Sequence, residues 1–200
     1  MSKPHPARHG GLPHQVRIIG GQWRRTLLPV ADRPGLRPTP DRVRETLFNW
    51  LGQDMHGWRC VDAFAGSGAL GLEAASRGAA QVLLVEQDAA LARQLQALKD
   101  RLQAQTVTVR RGDGVSALAA CAGGSVDLVL LDPPFDAQAL FAPALAAAAR
   151  AVCADGFVYL EAPVAWDAAA LAEVGLAPHR HLKAGAVHAH LLVPLRAACA

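Results

Sequence analysis

From Trp58 onward the chain alternates between two textures. Short apolar or β-branched runs stand at Cys60–Phe64, Val82–Glu86, Val107–Arg110, Val126–Leu131 and Phe157–Glu161. Helix-length stretches rich in Ala and Leu separate them, at Ala69–Arg77, Ala89–Leu102, Val115–Cys121 and Gln138–Val152. A strand that is apolar on consecutive residues is buried on both faces, and a helical crossover carries the chain to a parallel neighbour. The pattern predicts an α/β fold, a mostly parallel sheet with helices on both faces. After a short helix at Ala168–Glu173, Leu176–Leu182 and Val187–Leu195 read as two more strands. Lys183-Ala184-Gly185 joins them, too short for a crossover helix, so they are expected to pair antiparallel.

Ahead of residue 58 the texture differs. Residues 1–15, MSKPHPARHGGLPHQ, are rich in Pro, Gly and His and lack an apolar core, which predicts a disordered tail and not a signal peptide. QVRIIGGQWRRTLLPV reads as two short strands joined at Gly20-Gly21. A proline-punctuated linker follows, then a helix with Thr39 as its cap and Pro40 at its first position. Val43, Leu47 and Leu51 form its apolar stripe, widened by Phe48 and Trp50, while Arg42, Arg44 and Glu45 fall off it. Residues 16–57 are thus expected to be an extension of an α/β domain over 58–200.

Charge separates the same two parts. Residues 1–60 hold ten Lys and Arg against four acids; the remainder holds ten against thirteen. A basic extension on a mildly acidic domain points to a polyanionic partner. No apolar run reaches the length of a membrane span. The four cysteines (Cys60, Cys121, Cys153, Cys199) are scattered, as in a reduced, cytoplasmic protein.

The first strand of the domain runs into VDAFAGSGALGLEA, where Gly66-x-Gly68-x-x-Gly71 stands between a strand and a helix. Glu86 ends the next strand, where a ribose-binding acid belongs, so a nicotinamide-binding domain is one reading. Asp62 argues against it. A carboxylate beside a pyrophosphate costs on the order of 4 kcal/mol per like-charge contact at an effective dielectric near 20. S-adenosylmethionine lacks phosphate and carries a sulfonium and an ammonium, which an acid attracts. Glu86 can accept from both ribose hydroxyls, and Asp113, after the third strand, from the adenine amine.

The fourth strand ends in Asp132-Pro133-Pro134-Phe135. Paired prolines fix φ and remove competing N–H donors, so the Pro133 carbonyl has a set direction. That carbonyl and the Asp132 carboxylate together can hold the two hydrogens of an –NH2 group, and Phe135 offers a face on which a base can stack.

D-x-F-A-G-S-G with D-P-P-F resembles the amino-directed methyltransferases that act on exocyclic amines. RIIGGQWRR, LRPTPDRVRETLFNWL, DAFAGSGALGLEA and LDPPF, in this order, resemble more narrowly the bacterial 16S ribosomal RNA guanine-N2 methyltransferases that modify guanine 966. The likeness covers roughly residues 16 to 195. It implies a Rossmann-like class I S-adenosylmethionine-dependent methyltransferase fold, seven strands in the order 3-2-1-4-5-7-6 with the last antiparallel. It implies that Asp132, Pro133 and Phe135 act on the target amine. The cofactor S-adenosyl-L-methionine would be held by Asp62, Phe64, Ala65, Gly66, Ser67, Gly68, Glu86, Asp113, Gly114 and Asp132. The partner would be 16S ribosomal RNA within a small-subunit assembly particle, met by a monomer.

Arg17, Arg24, Arg25, Arg37, Arg42 and Arg44 are the candidates for phosphate contacts, with Arg42 or Arg44 alternatively facing the cofactor carboxylate. Trp23 is suited either to base stacking or to packing. His179/His181 and His188/His190 alternate on the last two strands but no acid or Cys joins them, so no metal is expected. The competing functions are a nicotinamide oxidoreductase, a non-catalytic RNA-binding module, and a methyltransferase for DNA or another RNA.

Overall fold

The computed structural model describes residues 15–30 and 39–195. Two short strands, β1 (Gln15–Arg17) and β2 (Leu27–Pro29), pair antiparallel, and helix α1 (Asp41–Trp50) follows. Then come β3 (Arg59–Asp62), α2 (Ala69–Ser76), β4 (Gln81–Glu86), α3 (Ala89–Leu102), β5 (Val107–Arg111) and α4 (Gly114–Ala119). After β6 (Val126–Leu131), a 3₁₀ turn at Gln138–Leu140 leads into α5 (Phe141–Ala151). The chain ends through β7 (Val152–Ala162), α6 (Ala168–Glu173), β8 (Leu176–Ala184) and β9 (Val187–Pro194).

The main sheet has seven strands in the order β5-β4-β3-β6-β7-β9-β8, which is the expected 3-2-1-4-5-7-6 when its strands are counted along the chain. β9 runs antiparallel to both β7 and β8. Period-two pleating sends alternate residues to two cores. Leu128, Leu130 and Tyr159 point to one, shared with α1, α2 and α3; Val129, Leu131 and Leu160 point to the other, under α4, α5 and α6. Val16, Ile18, Leu28 and Val30 of the extension belong to the first core, each buried side chain contributing about 1.5–3 kcal/mol of transfer energy. The extension therefore lies on the α1–α3 face and has no core of its own. No helix among the described residues is long and apolar enough to cross a membrane.

Two local expectations are corrected. Gly20-Gly21 is not a tight hairpin turn. The connection runs over residues 18–26, and its backbone is laid on the end of α2: Gln22 N–H donates to the Ser76 carbonyl (2.8 Å) and Trp23 N–H to Ser76 Oγ (2.9 Å). Gly21 is required by that approach, since at φ +73° a Cβ would lie 1.8 Å from the Ser76 carbonyl oxygen. Thr39 does not cap α1; Pro40 occupies the cap position, and the Thr39 hydroxyl is turned instead toward Glu161.

Candidate active site

The parallel strands open their C-terminal ends along one edge, and three of them end in an acid on the same face. In register Asp62 lies opposite Leu130 and Leu131 opposite Leu160. Asp62 and Leu130 therefore share a side, and two residues beyond Leu130 and Tyr159 the pleat returns Asp132 and Glu161 to it. All three carboxylates line one cavity of about 650 Å³, within the range of small-molecule sites. Phe64, Ala65, Gly66 and Ser67 form its glycine-loop wall, Pro133 and Phe135 another, and Thr39 and Pro40 close it from the extension.

Burial dominates its electrostatics. Asp62 is 1% exposed; its Oδ2 accepts from Gly71 N–H at 2.9 Å, and its Oδ1 is buried with no hydrogen-bond partner. Desolvation pushes its pKa up to about 7 against the backbone hydrogen bonds, with the charges of Glu86 and Glu161 adding to the rise. Asp132 is held well above the usual carboxylate range by burial within the cavity and by the neighbouring Glu161 and Asp62. Glu161 is also raised by burial, opposed by hydrogen bonds from Thr39 and Tyr159 and by the Arg44 charge. Phe135 is partly buried against the second core while lining the cavity, so it has both a packed and an open face.

Other expected site residues stand outside the cavity lining. Glu86 accepts from Gly66 N–H and Asp88 N–H, both at 2.8 Å, and so braces the glycine loop. Asp113 is exposed and caps α4 through Ser116 N–H at 2.6 Å, a bond that lowers its pKa. Gly68 (φ +80°) caps α2, and a Cβ there would press on Leu95; one at Gly114 would strike the Ala63 carbonyl. These two glycines let helices approach the sheet edge. Glu161 was missed in the sequence, where Thr39 stood out only as a helix cap and not as a cavity residue. The signal for Glu161 was the one that marked Asp62 and Asp132: an acid at the tip of a buried strand.

The arginines divide. Arg17 and Arg42 are exposed near Pro40 at the cavity wall, Arg17 pairing with Asp41 at 3.2 Å. Arg24 and Arg25 are exposed on the 18–26 connection, at the opposite end of α2 from the glycine loop. Arg37 lies outside the described residues. Arg44 corrects the expectation of a phosphate contact: it is fully buried, bonding Glu73 (3.3 Å), Asp41 (2.7 Å) and the Arg17 carbonyl (2.8 Å). A guanidinium enclosed by two carboxylates and a carbonyl has no face left for RNA. Trp23 packs partly buried against the first core. His181 and His188 approach at 3.0 Å, and no group of metal-ligating side chains occurs among the described residues.

Among the described residues the cavity is lined by four carboxylates (Asp62, Asp132, Asp136, Glu161) and no basic side chain. Such a lining repels a pyrophosphate and attracts a cation. Asp62 Oδ1, buried without a donor, fits the positively charged methyl donor, whose cationic groups would supply what the protein does not.

A family model described as conserved hypothetical protein 95 matches residues 16–193. Ribosomal RNA small subunit methyltransferase D of Escherichia coli (strain K12) is 51% identical over 135 residues, which are 68% of this chain and 66% of the relative, just under two thirds of its length. A solved structure of a putative methyltransferase from Escherichia coli is 42% identical, with a TM-score of 0.76 over 90% of this chain and 98% of that one. A putative methylase from Haemophilus influenzae is 31% identical, with a TM-score of 0.74 over 92% and 100% of the two chains.

Proposed function

Since this chain belongs to the conserved hypothetical protein 95 family, that of ribosomal RNA small subunit methyltransferase D, we propose that it transfers a methyl group from S-adenosylmethionine to the exocyclic N2 amine of a guanine in small-subunit ribosomal RNA. The motif resemblance points to guanine 966. The observation that carries the reading is the acid cavity with Asp132-Pro133 at its rim, where a cation and an amine can be held side by side.

S-adenosylmethionine supplies an electrophilic methyl on a sulfonium. The chain's part is alignment, since an in-line displacement gains most from holding its reactants in place. Asp62 attracts the cationic donor at the glycine loop, and Glu86 and Asp113 stand along the same edge toward the adenosine. Asp132 and the Pro133 carbonyl accept the two amine hydrogens, and Phe135 stacks on the ring. The new N–C bond would form as the methyl's bond to sulfur breaks and leaves a neutral thioether. The amine proton then becomes acidic and would pass to the Asp132 carboxylate, a group with raised proton affinity that a neighbouring cation keeps ionised beforehand. The base must be presented out of its stack, at a cost of a few kcal/mol.

The test is incubation with labelled S-adenosylmethionine and small-subunit particles from cells lacking the enzyme, followed by mapping of the labelled nucleotide. Label on a guanine N2 is expected, and Asp132→Ala should reduce kcat by 100-fold or more on the scale of about 10²–10⁴ for a positioned proton acceptor. Label in DNA or protein, or full turnover by that variant, would overturn the reading.

A further inference from the structure

A grip on an amine alone does not choose a base, because adenine N6 and cytosine N4 present the same two hydrogens as guanine N2. Guanine differs at the neighbouring ring atom. Its N1 carries a hydrogen, whereas the ring nitrogen beside the adenine or cytosine amine is a bare acceptor. An acceptor that cannot donate, set beside the amine grip, therefore selects guanine. We propose that Glu161 is that acceptor, taking the N1–H of the target guanine while Asp132 and the Pro133 carbonyl hold N2. The assignment rests on the function proposed above and adds the residue that reads the base.

Three observations carry it. Glu161 is the last residue but one of β7, which neighbours β6 on the side away from β3, so Asp132 lies between it and the glycine loop. It stands on the substrate side of the amine grip. It is 2% exposed yet lines the cavity with Asp132, so its carboxylate faces the space a base would fill. Its bound donors are hydroxyls: Tyr159 OH donates to Oε1 at 2.8 Å, and Thr39 hydrogen-bonds it from the extension. A carboxylate has about four lone-pair sites, so two such bonds fix its orientation and leave acceptors over. Donors from Thr39 and Tyr159 and the nearby Arg44 oppose the rise that burial imposes on its pKa, and the carboxylate they orient accepts only.

Consequently a base with a bare ring nitrogen beside its amine would set lone pair against carboxylate. Loss of one hydrogen bond to a buried charged group corresponds to about 10–100-fold in kcat/KM.

The test uses reconstituted small-subunit particles carrying guanine or 2-aminopurine at the mapped target position. 2-Aminopurine keeps the N2 amine but has an acceptor at N1. The wild type is expected to prefer guanine by about 100-fold. Glu161→Gln can turn an amide N–H toward that acceptor, so its preference should collapse to about tenfold or less while S-adenosylmethionine affinity, read by calorimetry, is unchanged. Equal wild-type rates on the two bases would overturn the assignment without recourse to any variant. An unchanged preference in Glu161→Gln, or loss of cofactor binding by it, would overturn it too, the latter by placing Glu161 on the cofactor. No transfer to the guanine particle by the wild type would instead defeat the function proposed above, and this assignment with it.

Discussion

Asp62 is a carboxylate steadied by the backbone amides of Gly71 and Phe64, with Gly71 N–H on Oδ2 at 2.9 Å and Oδ1 buried without a hydrogen-bond partner. Its pKa is about 7 in the folded chain against 3.8 for an ordinary aspartate, a difference worth about 4 kcal/mol. Because the folded value is the higher one, the native state keeps a proton that the unfolded chain has lost. The corresponding stability is fully present below about pH 4, falls as pH rises toward 7, and is gone above it. Asp132 and Glu161 are raised for the same reason and steepen the same decline. Asp62→Asn keeps an acceptor for Gly71 and removes the ionisable oxygen. The cofactor-free variant is expected to exceed the wild type by about 2–4 kcal/mol at pH 8 and to lose the advantage near pH 4, measured by urea denaturation. Its affinity for S-adenosylmethionine should fall, and should no longer weaken between pH 8 and pH 6 as the wild type's does. A variant with unaltered stability and binding across that range would show that Asp62 is not the group that meets the cation.

Helix α2 is held to the extension by one acid at its centre. Glu73 is fully buried and accepts from Ile19 N–H (2.8 Å), Gly20 N–H (2.7 Å), Arg77 (2.9 Å) and Arg44 (3.3 Å). Removing it leaves Arg44 buried with a single carboxylate partner and orphans two backbone amides. Glu73→Ala should cost about 3–5 kcal/mol and raise hydrogen exchange at Ile19 and Gly20 well before that of β3 and β6. Uniform exchange across the chain would mean that the connection is held by its apolar residues instead. This element also marks where reading the sequence succeeds and stops. Sheet, helices and the acids at strand tips were legible because they rest on period-two and period-3.6 patterns and on the glycine loop, all local. By spacing alone Arg44 falls off the apolar stripe of α1, yet it lies within the buried face: Val43, Arg44, Leu47 and Phe48 are the buried positions. A charge on a buried stripe is intelligible only with its partner, and Glu73 is 29 residues away. Gly20-Gly21 misled for the same reason, since the surface its backbone approaches is the end of a helix over 50 residues on.

At the scale of the whole molecule, the proposed function asks an acid well to receive a strand of phosphates. The four carboxylates around the cavity repel RNA, so its backbone is held elsewhere if the base is to enter. The described part of the basic extension, carrying Arg17, Arg24, Arg25, Arg42 and Arg44, is folded onto the α1–α3 face, the face toward which the cavity acids project. Of its arginines, Arg44 is spent on structure, while Arg42 and Arg17 stand by the cavity wall and Arg24 and Arg25 a helix length away. Arg17 shares Asp41 with Arg44, so part of its charge is already answered and Arg42 should carry more of the contact. Each phosphate contact to single-stranded RNA lowers the slope of log K against log salt by about 0.7. Arg42→Ala is expected to weaken particle binding and flatten that slope by about 0.7, Arg17→Ala by less, and Arg24→Ala/Arg25→Ala together by about 1.4, with S-adenosylmethionine affinity unmoved in all three. Filter binding from 50 to 300 mM salt reads these slopes directly. An unchanged slope in the Arg24/Arg25 variant alone would confine the RNA to the cavity rim; unchanged slopes throughout would leave the basic extension without the phosphate-binding role its charge implies.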